Sequence, residues 1–314
     1  MIRELFKEYF NKHKYWCVLG FTLILACAVG QVFLLLGLNV WFKDFWEFVQ
    51  AKDISNTLSN IPVFCGYAFG LIGVSTISVW LQQMWTLKFR ASVTPIFERK
   101  LVELRGKIPT LSQRVTMDLP IVVANGVNLL CLFINAVLNV VLFATVIVSI
   151  GANIGYLGNP YLLLLLCVVV SIIGTSILYL VGHRLRKLNY NNEQTEATYR
   201  AYITDTETAG KVDKQHLAAT RVSFNELMDN HTILYNAIKR VTFTQVSYSQ
   251  VCIILPILII LPAFFTGHVN FGTIFQFSDA FGRFNTGLSF IPENFQDGSS
   301  WLASYKRLRE IYNA

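Results

Sequence analysis

Charged side chains are scarce in this sequence: Asp, Glu, Lys and Arg make up 14% of its 314 residues, and 54% are hydrophobic. Soluble domains carry about 25% charged residues, so a water-soluble domain is excluded and an all-α polytopic membrane protein is expected. No GxxxxGK[ST] occurs. The nearest text, Ala209-Gly210-Lys211-Val212, lacks the first Gly and the Ser/Thr. No loop is therefore built to cradle nucleotide phosphates, and no ATPase domain is expected. Cys17, Cys27, Cys65, Cys131, Cys167 and Cys252 have no CxxC spacing and lie in or beside apolar runs. They read as small apolar side chains rather than disulfides or metal ligands. The five histidines show no HExxH or paired spacing. No metal, no other cofactor and no catalytic constellation is expected. The net charge of +7 does not call for nucleic acid; it is what cytoplasmic loops rich in Lys and Arg produce.

What is present is a series of long apolar runs. In residues 1–15, Ile2, Leu5, Phe6, Tyr9 and Phe10 repeat at helical spacing among Arg3, Lys7, Lys12 and Lys14. This is expected to be a retained amphipathic elbow helix in the membrane interface, not a signal peptide. Six membrane spans are expected in a domain of residues 16–293, at about 16–42, 61–89, 119–150, 161–182, 246–265 and 273–291. Lys43–Asn60 reads as a short polar loop, and Gly66 and Gly70 form a GxxxG suited to close helix contact. A charged segment, 88–118, is broken at Gly106 and Pro109. The polar segment 184–245 reads as two helices extending spans four and five, broken at Thr208–Asp213. Pro256 and Pro262 are expected to kink span five. GHVNFG reads as a tight turn, and residues 294–314 as a basic amphipathic tail. Lys and Arg gather before span one, between spans two and three, between four and five, and after six; the opposite loops carry only Lys43 and Lys52. Both termini are therefore expected on the cytoplasmic side.

Polar residues inside the spans mark where chemistry could sit. Asn125, Asn128, Asn135 and Asn139 fall within about 80° of one another on span three at 3.6 residues per turn. They form a solvated cavity wall or, alternatively, hydrogen-bonding glue between helices. Asp279 and Arg283 lie four apart in span six, with Gln276 one turn before. Charges there are expensive and usually face a bundle interior or a water-filled path; the plainer reading is a self-neutralising ion pair. Glu193, Glu196 and Glu207 lie near the inner end of span four. A carboxylate moved between dry and wet surroundings changes its affinity for protons, although Glu196 and Arg200 are also spaced as an ordinary helix-surface pair.

Four stretches, in order, resemble the SbmA/BacA-like peptide transporters and their ATPase-bearing relatives. They are LNVWFKDFWEFVQAKD (Leu38–Asp53), LKFRASVTPIFERKLVELRGKIPTLSQRVTMD (Leu87–Asp118), NEQTEATYRAYI (Asn192–Ile203) and WLASYKRLREIY (Trp301–Tyr312). The resemblance implies the transmembrane-domain fold of ABC exporters without an ATPase. It implies a domain-swapped homodimer in the bacterial inner membrane that imports peptides, including antimicrobial peptides and peptide antibiotics, on the proton gradient. It places the family's carboxylates on Glu196 and Glu207. Glu193 stands where the family more often has Gln, Pro95-Ile96 interrupt an aromatic stretch, and Lys107-Ile108-Pro109 depart from the usual pattern. With Asp279, these glutamates are the proton-coupling candidates; Asn125, Asn128, Asn135, Asn139, Gln276 and Arg283 are the substrate-path candidates. The expected partners are peptides, membrane lipids and a second copy. The alternative is the membrane half of an ATP-driven exporter, which adds an ATPase subunit.

Overall fold

The computed structural model describes residues 1–104, 114–154, 159–208 and 214–313. The expected break at Gly106–Pro109 and residues 209–213 of the second break lie outside them. The described residues form helices: α1 (Ile2–Gln50), α2 (Ile54–Ser59), α3 (Ile61–Glu103), a π-helical turn (Arg114–Asp118), α4 (Leu119–Asn153), α5 (Tyr161–Gly182), α6 (Leu185–Thr208), α7 (Lys214–Phe265), α8 (Phe271–Leu288), α9 (Phe290–Glu293) and α10 (Phe295–Asn313). Among the described residues, five stretches are long and apolar enough to cross a membrane, and they contain α1, α3, α4, α5 and α7. The chain is thus a multi-pass membrane protein. α8 is not among them, because its 18 residues include Gln276, Asp279, Arg283 and Asn285.

The elbow and span one run together as α1, which bends at His13, where a φ of −136° and a ψ of 45° leave the helical region. Part of this segment's apolar face packs on protein: Leu5 and Tyr9 are buried, and Tyr9 lies edge-on to Trp85 of α3 at 5.4 Å between ring centres. The expected polar loop at Lys43–Asn60 is mostly helical, which corrects the reading of that stretch. Phe42, Phe45, Trp46 and Val49 recur at helical spacing, and their rings find partners: Trp41 stacks on Phe45 at 4.8 Å and Trp46 on Phe275 at 4.4 Å. Trp41 is buried and donates its Nε1–H to the Asn60 carbonyl at 2.8 Å. Asp53 caps α2 by accepting from the Asn56 amide, which holds its carboxyl below the ordinary range.

The GxxxG expectation is also corrected. A β-carbon on Gly66 would meet nothing within 4 Å, and one on Gly70 only the Leu34 side chain at 3.4 Å. The close approaches of α1 and α3 lie elsewhere, at Gly20 beneath Trp85 and Gly37 beneath Tyr67. Pro256 and Pro262 sit inside a continuous α7. The turn after it is as expected, with Gly267 at φ +78°.

The chain divides into two compact units, Met1–Val169 with Leu255–Ala314, and Val170–Ile254. The first is held by a core that runs through Leu5, Tyr9, Trp85, Val93, Phe97, Leu119, Val123, Leu308 and Ile311. The expected tail is therefore a packed helix: α10 sends Leu308 and Ile311, both fully buried, into that core. In the second unit α6 and α7 meet through the Asn230 Nδ2 bond to Thr195 Oγ1 at 3.1 Å and the Tyr199–Phe224 rings at 5.4 Å. Gly174 of α5 lies under Tyr248 of α7. Leu162, Leu165, Leu166, Ile172 and Ile173 of α5 are exposed, as a lipid-facing helix requires.

Candidate functional site

α8 is two-faced. Ile274, Phe277, Ala280, Phe281 and Phe284 are buried at helical spacing, while Gln276, Ser278, Asp279, Gly282, Arg283 and Thr286 occupy other positions. On that polar side Arg283 donates Nε–H to both oxygens of Asp279 at 3.0 Å. The side chains are about a quarter exposed, 26% for Arg283 and 23% for Asp279. The pair is reinforced from α1. Asn39, fully buried, donates to Asp279 Oδ2 and to the Gln276 carbonyl, each at 2.9 Å. The Arg283 guanidinium carbon lies 5.7 Å from the centre of the Phe143 ring on α4, within reach of a cation–π attraction.

These groups border an open cleft of about 470 Å³ lined by Leu35, Asn139, Ser278, Asp279, Gly282, Arg283 and Thr286. Of the expected residues the cleft therefore unites Asp279, Arg283 and Asn139. Gln276 contributes its carbonyl to the Asn39 anchor, and Asn125 and Asn128 do not line the cleft. Asn135 and Asn139 donate to carbonyls one turn back on their own helix, at 3.1 and 2.8 Å. Neither of those bonds joins two helices. Sequence reasoning does not single out Asn39; a lone Asn in an apolar span carries only a weak signal.

A sequence model of the SbmA/BacA-like family matches residues 10–314. The chain belongs to the SbmA/BacA-like family. It is 22% identical over 96% of its length to the inner membrane ABC transporter ATP-binding protein YddA of Escherichia coli, and covers 58% of that protein. It is 24% identical over 96% of its length to the chloroplastic ABC transporter D family member 2 of Arabidopsis thaliana, covering 44% of it. It is 23% identical over 95% of its length to the ATP-binding protein sll0182 of Synechocystis, covering 46%. The chain thus spans about half the length of the curated relatives it matches. These similarities relate the chain to proteins named as ABC transporters.

All four family-like stretches carry polar contacts of this SbmA/BacA-like chain. Leu38–Asp53 supplies Asn39. Leu87–Asp118 supplies Asp118, which lies buried beneath the fourth stretch, Trp301–Tyr312. Arg307 grips it with Nε to Oδ2 at 2.8 Å and Nη2 to Oδ1 at 2.6 Å, and Ser304 adds its hydroxyl at 3.1 Å. The buried carboxylate holds the Arg307 pKa above its ordinary value. Trp301 donates to the Val122 carbonyl at 2.9 Å, with its indole over Gly126, and Tyr312 donates to Glu4 at 2.5 Å. α10 is thereby fastened to both the elbow and α4. In the third stretch Glu196, its side chain about half exposed, meets the exposed Arg200 at 3.5 Å, a surface pair worth about 0–1 kcal/mol. The side chains of Glu193 and Glu207 lie outside the described residues, as does that of Arg114. Among the described residues no group of His, Cys, Asp and Glu is placed to hold a metal.

Proposed function

We propose that this chain imports peptides, including antimicrobial peptides and peptide antibiotics, across the bacterial inner membrane as a proton-driven homodimer. In this reading α8 is the sixth span and both termini are cytoplasmic. The observation that carries it is the Asp279–Arg283 pair, anchored by Asn39 on an open cleft with Asn139. A charged pair is costly at membrane depth and is retained where it faces a polar path. Transport makes and breaks no bond, so side chains that change hydration and charge are sufficient machinery. Glu196 and Glu207, with Glu193 and Asp279, are proposed to carry the proton.

The decisive measurement is uptake of a fluorescent peptide by proteoliposomes holding the purified chain. An inside-alkaline gradient without ATP is expected to drive accumulation, and collapsing the gradient with a protonophore to abolish it. No difference between the two conditions overturns proton drive. A second reading rests on a separate observation: the relatives named above are ATP-binding proteins or ABC transporters, and this chain spans only part of them. It then forms the membrane half of an ATP-driven exporter. Peptide movement that appears only with an added ATPase subunit and ATP would establish that reading.

Glu196→Gln is expected to lower gradient-driven uptake toward the level seen without a gradient. It should change stability by no more than about 0.5 kcal/mol, because the pair with Arg200 is exposed. Unchanged uptake by a well-folded variant removes Glu196 from the proton path.

A further inference from the structure

We propose that the Arg283 edge of the cleft is a binding subsite for the terminal carboxylate of a peptide. The inference rests on the peptide-transport reading and names the part of the substrate that this cleft recognises. A guanidinium has five N–H donors in a planar fork. Here the Nε–H is spent on Asp279. Among the described residues no protein acceptor takes a bond from the two terminal nitrogens, although the residue lines the cleft. The remaining lining offers mainly acceptors. Ser278 Oγ donates to the Ile274 carbonyl at 2.9 Å and Thr286 Oγ1 to the Gly282 carbonyl at 3.0 Å. Their hydroxyl hydrogens are thus committed, and their lone pairs remain. Asn139 commits one side of its amide to Asn135 and keeps its oxygen. A ligand that suits such a cleft brings an anion for the fork and N–H groups for the acceptors beside it. A peptide ending in a free carboxylate has both, and a carboxylate matches the two-pronged geometry of an arginine.

The electrical surroundings favour the same ligand. The spans that wall the cleft bring no competing charge: α4 has no Asp, Glu, Lys or Arg, α1 has none between Trp16 and Phe42, and α8 has only Asp279 and Arg283. Asn39 and Arg283 both donate to Asp279, so its carboxylate is already satisfied from within the chain. The guanidinium is held in place by Asp279 and Phe143 before any ligand arrives, which reduces the ordering cost of binding.

The test uses two dye-labelled peptides of one sequence without Asp or Glu, one a C-terminal acid and the other its amide. Binding to the full chain in detergent is read by fluorescence anisotropy, and uptake is read separately in proteoliposomes. The wild type is expected to bind the acid on the order of tenfold to a hundredfold more tightly than the amide, the range for losing a hydrogen bond to a charged group. Arg283→Gln is expected to abolish the difference between the acid and the amide. Arg283→Lys keeps the charge without the fork and is expected to fall between. Should Arg283→Gln fail to fold, Gly282→Leu replaces it; a β-carbon at Gly282 meets nothing within 4 Å, so the side chain fills the cleft without disturbing the helix. An amide peptide with one internal Glu separates terminal from side-chain recognition and is expected to bind like the plain amide. Equal binding of acid and amide by the wild type overturns the proposal. So does an acid preference that survives these variants, or binding of a short-chain phosphatidate but not of the peptide acid. Failure of uptake with the acid preference intact counts against the transport reading alone.

Discussion

Arg307→Ala is expected to destabilise the folded chain by about 3–5 kcal/mol, the cost of leaving a buried charge without its partner. Asp118 has an 8% exposed side chain, and among the described residues Arg307 supplies two of the three side-chain hydrogen bonds to its oxygens. Among the described residues, truncating Arg307 leaves the carboxylate with the Ser304 hydroxyl, at the place where the π-helical turn enters α4. The loss propagates, because α10 also carries Leu308 and Ile311 into the core and Trp301 onto Gly126. Melting of detergent-purified protein, followed by the fluorescence of the Trp residues, measures the effect. The double variant Asp118→Asn with Arg307→Ala is expected to recover part of the loss, since the uncompensated charge is gone. A single-variant cost below about 1 kcal/mol would make the contact equivalent to an exposed pair. Ser304→Ala removes a weaker bond and should cost only about 1 kcal/mol.

This latch shows how far the sequence alone can be read. Apolar runs mark the positions of five spans because the signal is local, about 20 apolar residues in a row. The Asp279–Arg283 pair is legible for the same reason, as its members stand one turn apart. Contacts across the chain are not. Asp118 and Arg307 are separated by 189 positions and Asn39 and Asp279 by 240, and no spacing rule connects them. Beside Lys43, Asp44 and Glu47, the aromatic residues of Lys43–Gln50 look like part of a polar loop; their helix follows from rings that pack on Trp41, Phe271 and Phe275. The Asn stripe looks like one surface, yet its members divide. Asn139 reaches the cleft, Asn135 bonds to its own helix, and Asn128 is exposed. Side-chain bonds to the preceding turn satisfy an amide without any neighbour, an outcome that a face-by-face count does not weigh.

Gly272→Ala is expected to lower the melting temperature of the folded chain. Alanine is ordinarily better than glycine inside a helix by about 0.5–1 kcal/mol, so the sign depends on the space around the new atom. At Gly272 a β-carbon would run into the Lys43 carbonyl oxygen and lie 2.8 Å from both the Lys43 carbonyl carbon and Glu47 Cγ. The glutamate can rotate away, but the backbone of α1 cannot, and α8 must move off it. Overpacking of this kind costs about 1–3 kcal/mol, and it falls where the Trp46–Phe275 stack joins the same two helices. Separating them also draws Asn39 from Asp279 and Gln276, so loss of the acid-over-amide preference should accompany the loss of stability. Gly66→Ala and Gly73→Ala are the controls, because their β-carbons meet nothing within 4 Å. Both should be neutral or gain the helix term. If Gly272→Ala melts no lower than these controls, α1 and α8 do not approach one another through this glycine, and the support that Asn39 gives to Asp279 must be sought elsewhere.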